Sequence, residues 1–402
     1  MYFAETIKTM KRYKKRLGSG RRPVEITNMR LYHALPAIKL ILLIAGVSVG
    51  VVVIILYGFP LIEDLIKQVD PRERYKPQVE KEFTTQQHET TEEEYQPSEM
   101  YLADYKTKND PYISGNKIIF TTRVDKEDKL YRLDAVGVFN IETQEAQMLP
   151  NVEKKYDNLL SPLLSGNTAV WIDSMANGGG RIVGYDLLTN KQFVIKEYGY
   201  AMPQLSLDGD ILTFMQWAGD TRQRLYAYNV ATREAVTIRL FDTEVGNSAA
   251  DVSDTDMVWS EYKSDAGKKS AALKRIVFSE GSSQFENYDI GDDVYEPKTN
   301  GKDIVFATTH DITSGDLMLS TGGSEPVKIA ENVLNYDVGD NFVAYTKNDT
   351  VYVSFTDQQK TVAVTSEIAK TLLVGVDGNA LVYYDITDGI LTDEVVMYVT
   401  IE

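Results

Sequence analysis

The chain contains three histidines, His33, His88 and His310, and no cysteine. No Cys-His dyad and no cysteine-rich zinc constellation can be built from that inventory. A Ser-His-Asp arrangement would have to use His310, in Thr308-Thr-His-Asp311, and no nucleophile elbow accompanies it outside the apolar run described below. A histidine in such a hairpin setting is expected to face solvent. The glycine-rich Ala176-Asn-Gly-Gly-Gly-Arg181 lacks the Lys-Ser/Thr ending and the following helix of a phosphate loop, and reads as a hairpin tip. The acidic pairs Asp208/Asp210, Asp254/Asp256 and Asp292/Asp293 lack the spacing and terminal Glu of a calcium loop and read as solvated turns. No catalytic residue, metal ligand or cofactor site is expected.

The segment that sets the organisation is Leu40 to Ile62, 23 residues without a charge. As a helix it would be about 34 Å long, enough to cross a hydrocarbon core of about 30 Å. Residues 1–34 carry nine Lys or Arg against Glu5 and Glu25, a net of +7, which leaves −24 for the rest of a chain whose total is −17. Short basic flanks stay cytoplasmic, so the expected topology is a single-pass bacterial membrane protein with its N-terminus inside. The basic start, with Phe3, Ile7, Met10 and Leu17 at near-helical spacing, suits contact with anionic lipid, and residues 1–62 are the expected lipid-facing part. Gly46-Val-Ser-Val-Gly50 has the G-x-S-x-G form of a hydrolase elbow, but inside a bilayer no water reaches the serine. Its small-xxx-small spacing instead offers Gly46 and Gly50 as a helix-packing face for a homodimer. The lack of cysteine fits an envelope protein that does not rely on disulfides.

Four regions follow: a basic tail at 1–34, a transmembrane helix at 35–64, a polar stalk at 65–100 with Pro71, Pro77, Pro97 and Glu92-Glu93-Glu94, and a β-rich region at 101–402. Within the last region one unit recurs. Gly115, Gly166, Gly209, Asp254, Gly301, Asp340 and Gly378 each stand five residues before an aromatic: Phe120, Trp171, Phe214, Trp259, Phe306, Tyr345 and Tyr383. The starts are 38 to 51 residues apart, the size of a four-stranded propeller blade. Behind the aromatic strand come Val138-Phe-Asn-Ile-Glu-Thr-Gln144, Val183-Gly-Tyr-Asp-Leu-Leu-Thr-Asn190 and Tyr226-Ala-Tyr-Asn-Val-Ala-Thr-Arg233, each a strand ending in a polar turn before a short outer strand. The expected fold is all-β: a seven-bladed β-propeller outside the membrane, preceded by one transmembrane helix. The seven aromatics are expected as interblade core, because a lone four-stranded sheet must present bulky apolar groups to its neighbours. The last unit stops one strand short, and Met100 to Tyr105 is the expected completing strand, removing an edge that invites aggregation.

Leu205-Ser-Leu-Asp-Gly-Asp-Ile-Leu-Thr-Phe214 with Tyr226-Ala-Tyr-Asn-Val-Ala-Thr-Arg233 resembles the repeats of TolB-like, WD40-related bacterial propellers. Those run Ser-Pro-Asp-Gly, an apolar strand, then Tyr-x-x-Asp and a Thr-Gly turn; the Pro is absent here. The resemblance spans 101–402 and implies an extracytoplasmic propeller that binds proteins, and it carries over no catalytic residue. The expectation is therefore a protein-binding scaffold docking another envelope protein, with no nucleic-acid partner for so acidic an ectodomain. The alternative is a carbohydrate-active glycosidase or lyase with a carboxylate pair at the channel.

Overall fold

The computed structural model describes residues 95–402 except for short segments, among them 126–129, 218–221, 242–247, 254–255, 287–293, 310–314, 365–369 and 388–394. It also describes the backbone of Glu89–Thr90, and between 262 and 293 the backbone alone. The expected transmembrane run, the basic tail, Gly46, Gly50, Asp254 and His310 lie outside the described residues. Among the described residues no helix is long and apolar enough to cross a membrane.

Among the described residues, alternating apolar and polar residues between Gly, Asn and Asp turns give twenty-nine short strands, β1 to β29, and an all-β propeller. Seven sheets follow one another along the chain. Sheet 1 is Asn109–Met148, sheet 2 Asn158–Tyr198, sheet 3 Leu205–Phe241, sheet 4 Asp251–Glu286, sheet 5 Tyr295–Glu331, sheet 6 Tyr336–Ala363 and sheet 7 Thr371–Thr400. Within each, strands pair antiparallel in chain order, first strand innermost. Each innermost strand meets that of the next sheet, and the seventh meets the first, so the ring closes.

The units are not equal, which corrects the expectation of seven copies. Six sheets have four strands, while sheet 6 has five. Its extra strand, β1 (Glu89–Thr90), comes from the polar segment expected as a free stalk and pairs in parallel with β26 (Lys360–Ala363). The completing strand of sheet 7 is likewise earlier than expected. β2 (Ser98–Glu99) pairs antiparallel with β29 (Val395–Thr400), and Met100 continues the contact by donating its N–H to the Val396 carbonyl at 2.8 Å. Beyond Met100 the chain turns away, with Tyr101 71% exposed. Met100 itself is fully buried, so a single apolar residue decides where the seam closes.

The core is seven apolar clusters, one at each junction between neighbouring sheets. Trp171 packs with Ile119 and Val136 of sheet 1, Phe214 with Leu163 and Val170 of sheet 2, and Trp259 with Leu225 and Ala227 of sheet 3. Phe306 meets Val258 of sheet 4, Tyr345 meets Val305 of sheet 5, Tyr383 meets Phe342 of sheet 6, and Phe120 meets Val382 of sheet 7. All seven sit on the second strand of their sheet and are at most 4% exposed. Burying such a side chain is worth about 1.5–3 kcal/mol, so the ring gains at every wedge.

The polar turns also share one geometry. Asn140, Asp186 and Asn229 each accept two backbone N–H groups from the residues two and three ahead. Gln144, Asn190 and Arg233 then take positive φ of 57°, 55° and 63°. Short side-chain acceptors stabilise such a turn locally, which is why the sequence signals it.

Candidate functional site: the axial channel and the outer edges

The innermost strands β3 (Asn109–Ser114), β7 (Asn158–Ser165), β11 (Leu205–Asp208), β15 (Asp251–Ser253), β19 (Tyr295–Thr299), β23 (Tyr336–Val338) and β27 (Thr371–Asp377) surround the axis. Two cavities, of about 320 Å³ and about 230 Å³, share Leu205, Ser206, Asp251 and Lys298. The larger is lined by the strand starts, including Ser161, Met202, Glu296 and Pro297. The smaller lies toward the strand ends and turns, with Tyr112, Asp208, Asp337, Asp340 and Asp377.

The channel acids have specific work to do. Asp110 Oδ2 accepts from Ser161 N at 3.0 Å, Asp251 Oδ2 from Thr299 N at 2.8 Å, Asp337 Oδ2 from Val376 N at 3.0 Å and Asp377 Oδ2 from Gly115 N at 2.6 Å. Each bond joins an innermost strand to the next sheet round the ring, the last one across the closure. Ser206 Oγ donates to Asp251 Oδ1 at 3.1 Å, and Asn300 Nδ2 donates to the Gly339 carbonyl at 2.6 Å. Strands of different sheets do not share a ladder, so these side chains supply the partners that their backbone groups would otherwise lack.

Lys298 sits amid the acids. Its Nζ lies 3.1 Å from Asp251 Oδ1, and Asp251 together with Asp337 holds the ammonium more firmly protonated than usual. Burial pushes the Asp337 carboxyl up to about 6, with Lys298 pulling it down and Asp251 raising it. Burial also raises Asp377, against the Gly115 N–H and with Asp208 and Asp340, and it raises the Tyr112 phenol, helped by Asp377 and Asp337. The result is an acidic channel that holds the Lys298 ammonium among its carboxylates. Among the described residues no group of three or more His, Cys, Asp or Glu is arranged to hold a metal ion.

One backbone feature at the channel mouth lies beyond the motifs read from the sequence. Asp110, Ser161 and Glu296 each precede a proline, stand five residues before the turn Gly, and adopt φ of 47°, 48° and 47°. The strand registers shift at the same places. A pre-proline residue prefers extended backbone, so the left-handed conformation is imposed by the bulge. The Pro four residues ahead of Gly115, Gly166 and Gly301 is the visible signal. Ala176–Gly179 forms the hairpin tip between β8 (Thr168–Ser174) and β9 (Gly180–Asp186), with Gly178 and Gly179 at φ 90° and 85°.

A second candidate lies on the outside. Nine large apolar side chains are exposed among the described residues, and six of them fall between positions 188 and 240: Leu188 and Val194 on sheet 2, Val236 and Leu240 on sheet 3, and Tyr200 and Met202 on the connection between the two, where Met202 also lines the larger axial cavity. The outer strands there, β10 (Lys191–Tyr198) and β14 (Glu234–Phe241), have eight residues each, against four in β6 (Glu145–Met148) and β26. Among the described residues neither edge is covered by a further strand.

No protein-family model matches the chain, and no curated protein matches it. Solved structures do. The β-propeller domain of the Trilobed protease from Pyrococcus furiosus, described as having an open velcro topology, aligns with TM-score 0.54 and 14% identity over 73% of this chain and 94% of that one. An oligogalacturonate lyase in complex with manganese aligns with TM-score 0.51 and 10% identity over 78% and 96%. TolB from Acinetobacter baumannii aligns with TM-score 0.41 and 14% identity over 58% and 60%, too loosely to argue from. At these identities the likeness shows a propeller fold and leaves the activity open.

Proposed function

We propose that this chain is a single-pass, membrane-anchored, seven-bladed propeller of the bacterial envelope that binds another protein. The observation that carries the binding role is the concentration of six exposed apolar side chains on sheets 2 and 3 and the connection between them. Exposed apolar side chains concentrated in one region cost solubility and mark an interaction site. Anchoring rests on the uncharged Leu40–Ile62 run and the basic residues before it. The acidic remainder of the chain disfavours nucleic acid. Crosslinking in intact cells, followed by identification of the captured chain, tests the reading. The expected result is one reproducible protein partner, lost when Tyr200, Met202 and Leu240 are all changed to Ser; an unchanged capture pattern would contradict it.

One observation favours a second reading, a carbohydrate-active enzyme. Asp251, Asp337 and Tyr112 line one cavity, and a carboxyl pushed up to about 6 suits a general acid. Against it, both carboxylates already accept backbone N–H groups from neighbouring strands. Release of reducing ends from a panel of polysaccharides, abolished by Asp337→Asn, would establish the enzyme; no release from any of them would remove it.

A further inference from the structure

Resting on the protein-binding reading above, we infer that the partner presents an extended, acidic segment that adds as a strand to the outer edge of sheet 3, in the cleft facing sheet 2. Three features of the cleft define that partner.

The first is an available edge. β14 has six of its eight residues exposed and, among the described residues, no strand beyond it. Outer edges in this molecule do accept added strands, since Glu89–Thr90 pairs through its backbone with the outer strand of sheet 6. Natural edges are usually kept short or covered, and β14 is neither.

The second is charge. Three cations stand in the cleft over aromatic rings: Lys196 Nζ 5.3 Å from the Tyr226 centroid, Arg224 Cζ 5.9 Å from the same ring, and Arg233 Cζ 4.4 Å from the Phe193 centroid. Arg224 also donates to Tyr226 Oη at 3.1 Å. Among the described residues none of the three forms an ion pair, whereas nearby Arg239 pairs with Glu261 at 2.8 Å and Lys155 takes Glu197 at 3.1 Å. Three such cations on one face of a chain with a net charge of −17 select an acidic ligand.

The third is periodicity. Leu240 is the cross-strand partner of Arg224, and Thr237 that of Tyr226, so this face of β14 looks into the cationic cleft. Val236 pairs with Ala227, which packs toward sheet 4, and so lies on the opposite face. A strand added here places alternate side chains on those two faces. Acidic residues then meet Lys196, Arg224 and Arg233, and apolar ones meet Val236.

The test uses full-length protein in detergent and a labelled peptide of alternating Glu and Val, matching the eight residues of β14, read by fluorescence anisotropy. The expected result is binding of this peptide, no binding of an alternating Lys-Val peptide, and about tenfold weakening when alternate backbone amides are N-methylated. Combining Lys196→Gln, Arg224→Gln and Arg233→Gln should weaken binding by about tenfold or more. Lys196→Glu alone, on an exposed side chain, must weaken it too without disturbing the packing. Equal binding of the two peptides, no binding of either, or an affinity that Lys196→Glu leaves unchanged would overturn the inference. If the peptide fails while cells still yield a captured partner, the binding reading survives and only the acidic strand is wrong. If no partner is captured anywhere, the binding reading itself falls.

Discussion

The outer edge of sheet 6 and those of sheets 2 and 3 are the same position in the same repeated unit, finished in opposite ways. On sheet 6 the chain lays its own Glu89–Thr90 along the fourth strand, and on neighbouring sheet 7 Ser98–Glu99 supplies the fourth strand itself, with Met100 buried beneath the seam. On sheets 2 and 3 the edge strands are longer, open, and decorated with Val194, Val236 and Leu240 beside Lys196 and Arg233. An edge that only needed protection would be short or covered. The contrast teaches that ring closure and partner binding draw on the same exposed backbone, and that the chain has used up one side and kept the other.

The sharpest way to break the comparison is to ask whether the two sides share one interior. Trp171→Ala, beneath the open side, and Tyr383→Ala, beneath the covered side, should each cost about 3–5 kcal/mol in denaturant unfolding. A cost under about 1 kcal/mol for Trp171→Ala would mean the open side is loosely packed. Trp171→Phe should be milder than Trp259→Phe. The buried Trp171 N–H has no acceptor among the described residues, whereas Trp259 Nε1 donates to Glu261 Oε1 at 3.2 Å.

Next in size is the seam. Met100→Ala should cost about 2–4 kcal/mol, since it empties a fully buried site in the cluster between sheets 1 and 7. Leu240→Ala on the open edge should stay within about 0.5 kcal/mol while impairing binding. Equal costs for the two would erase the distinction between a covered and a kept edge.

A smaller effect is expected from pH. Asp337 has its carboxyl pushed up to about 6 from an ordinary 3.8. Between those values the folded state holds the proton more tightly than the unfolded chain does. Stability therefore falls as pH rises from about 4 to about 6, then levels. Asp337→Asn should remove that slope while keeping an acceptor for Val376 N; thermal melts across the range would show it, and an unchanged slope would assign it to another group.

How much of this was legible in the sequence follows from where each instruction is stored. The aromatics at 120, 171, 214, 259, 306, 345 and 383 announce themselves because packing between sheets repeats with the unit. Asn140, Asp186 and Asn229 announce their turns because the bonds run only two or three residues ahead. The strand at Glu89–Thr90 is silent, since it pairs by backbone alone in a stretch with the composition of a linker. The closing strand reads a few residues late in the sequence because only Met100 marks it. The channel clasp was hidden for another reason: Asp110, Asp251, Asp337 and Asp377 look like any loop acids until the ring brings each to the next sheet. The cations of the cleft come from positions 196, 224 and 233, which only the junction of two sheets brings together.

The most direct measurement places a photo-reactive phenylalanine analogue at Leu240 on sheet 3 and, separately, at the exposed Asp357 on sheet 6, in living cells. If the open edge of sheet 3 is the binding side, light captures one defined protein from position 240 and none from position 357. Capture from 357 with none from 240 would contradict it, because binding would then belong to the side that the chain has already covered.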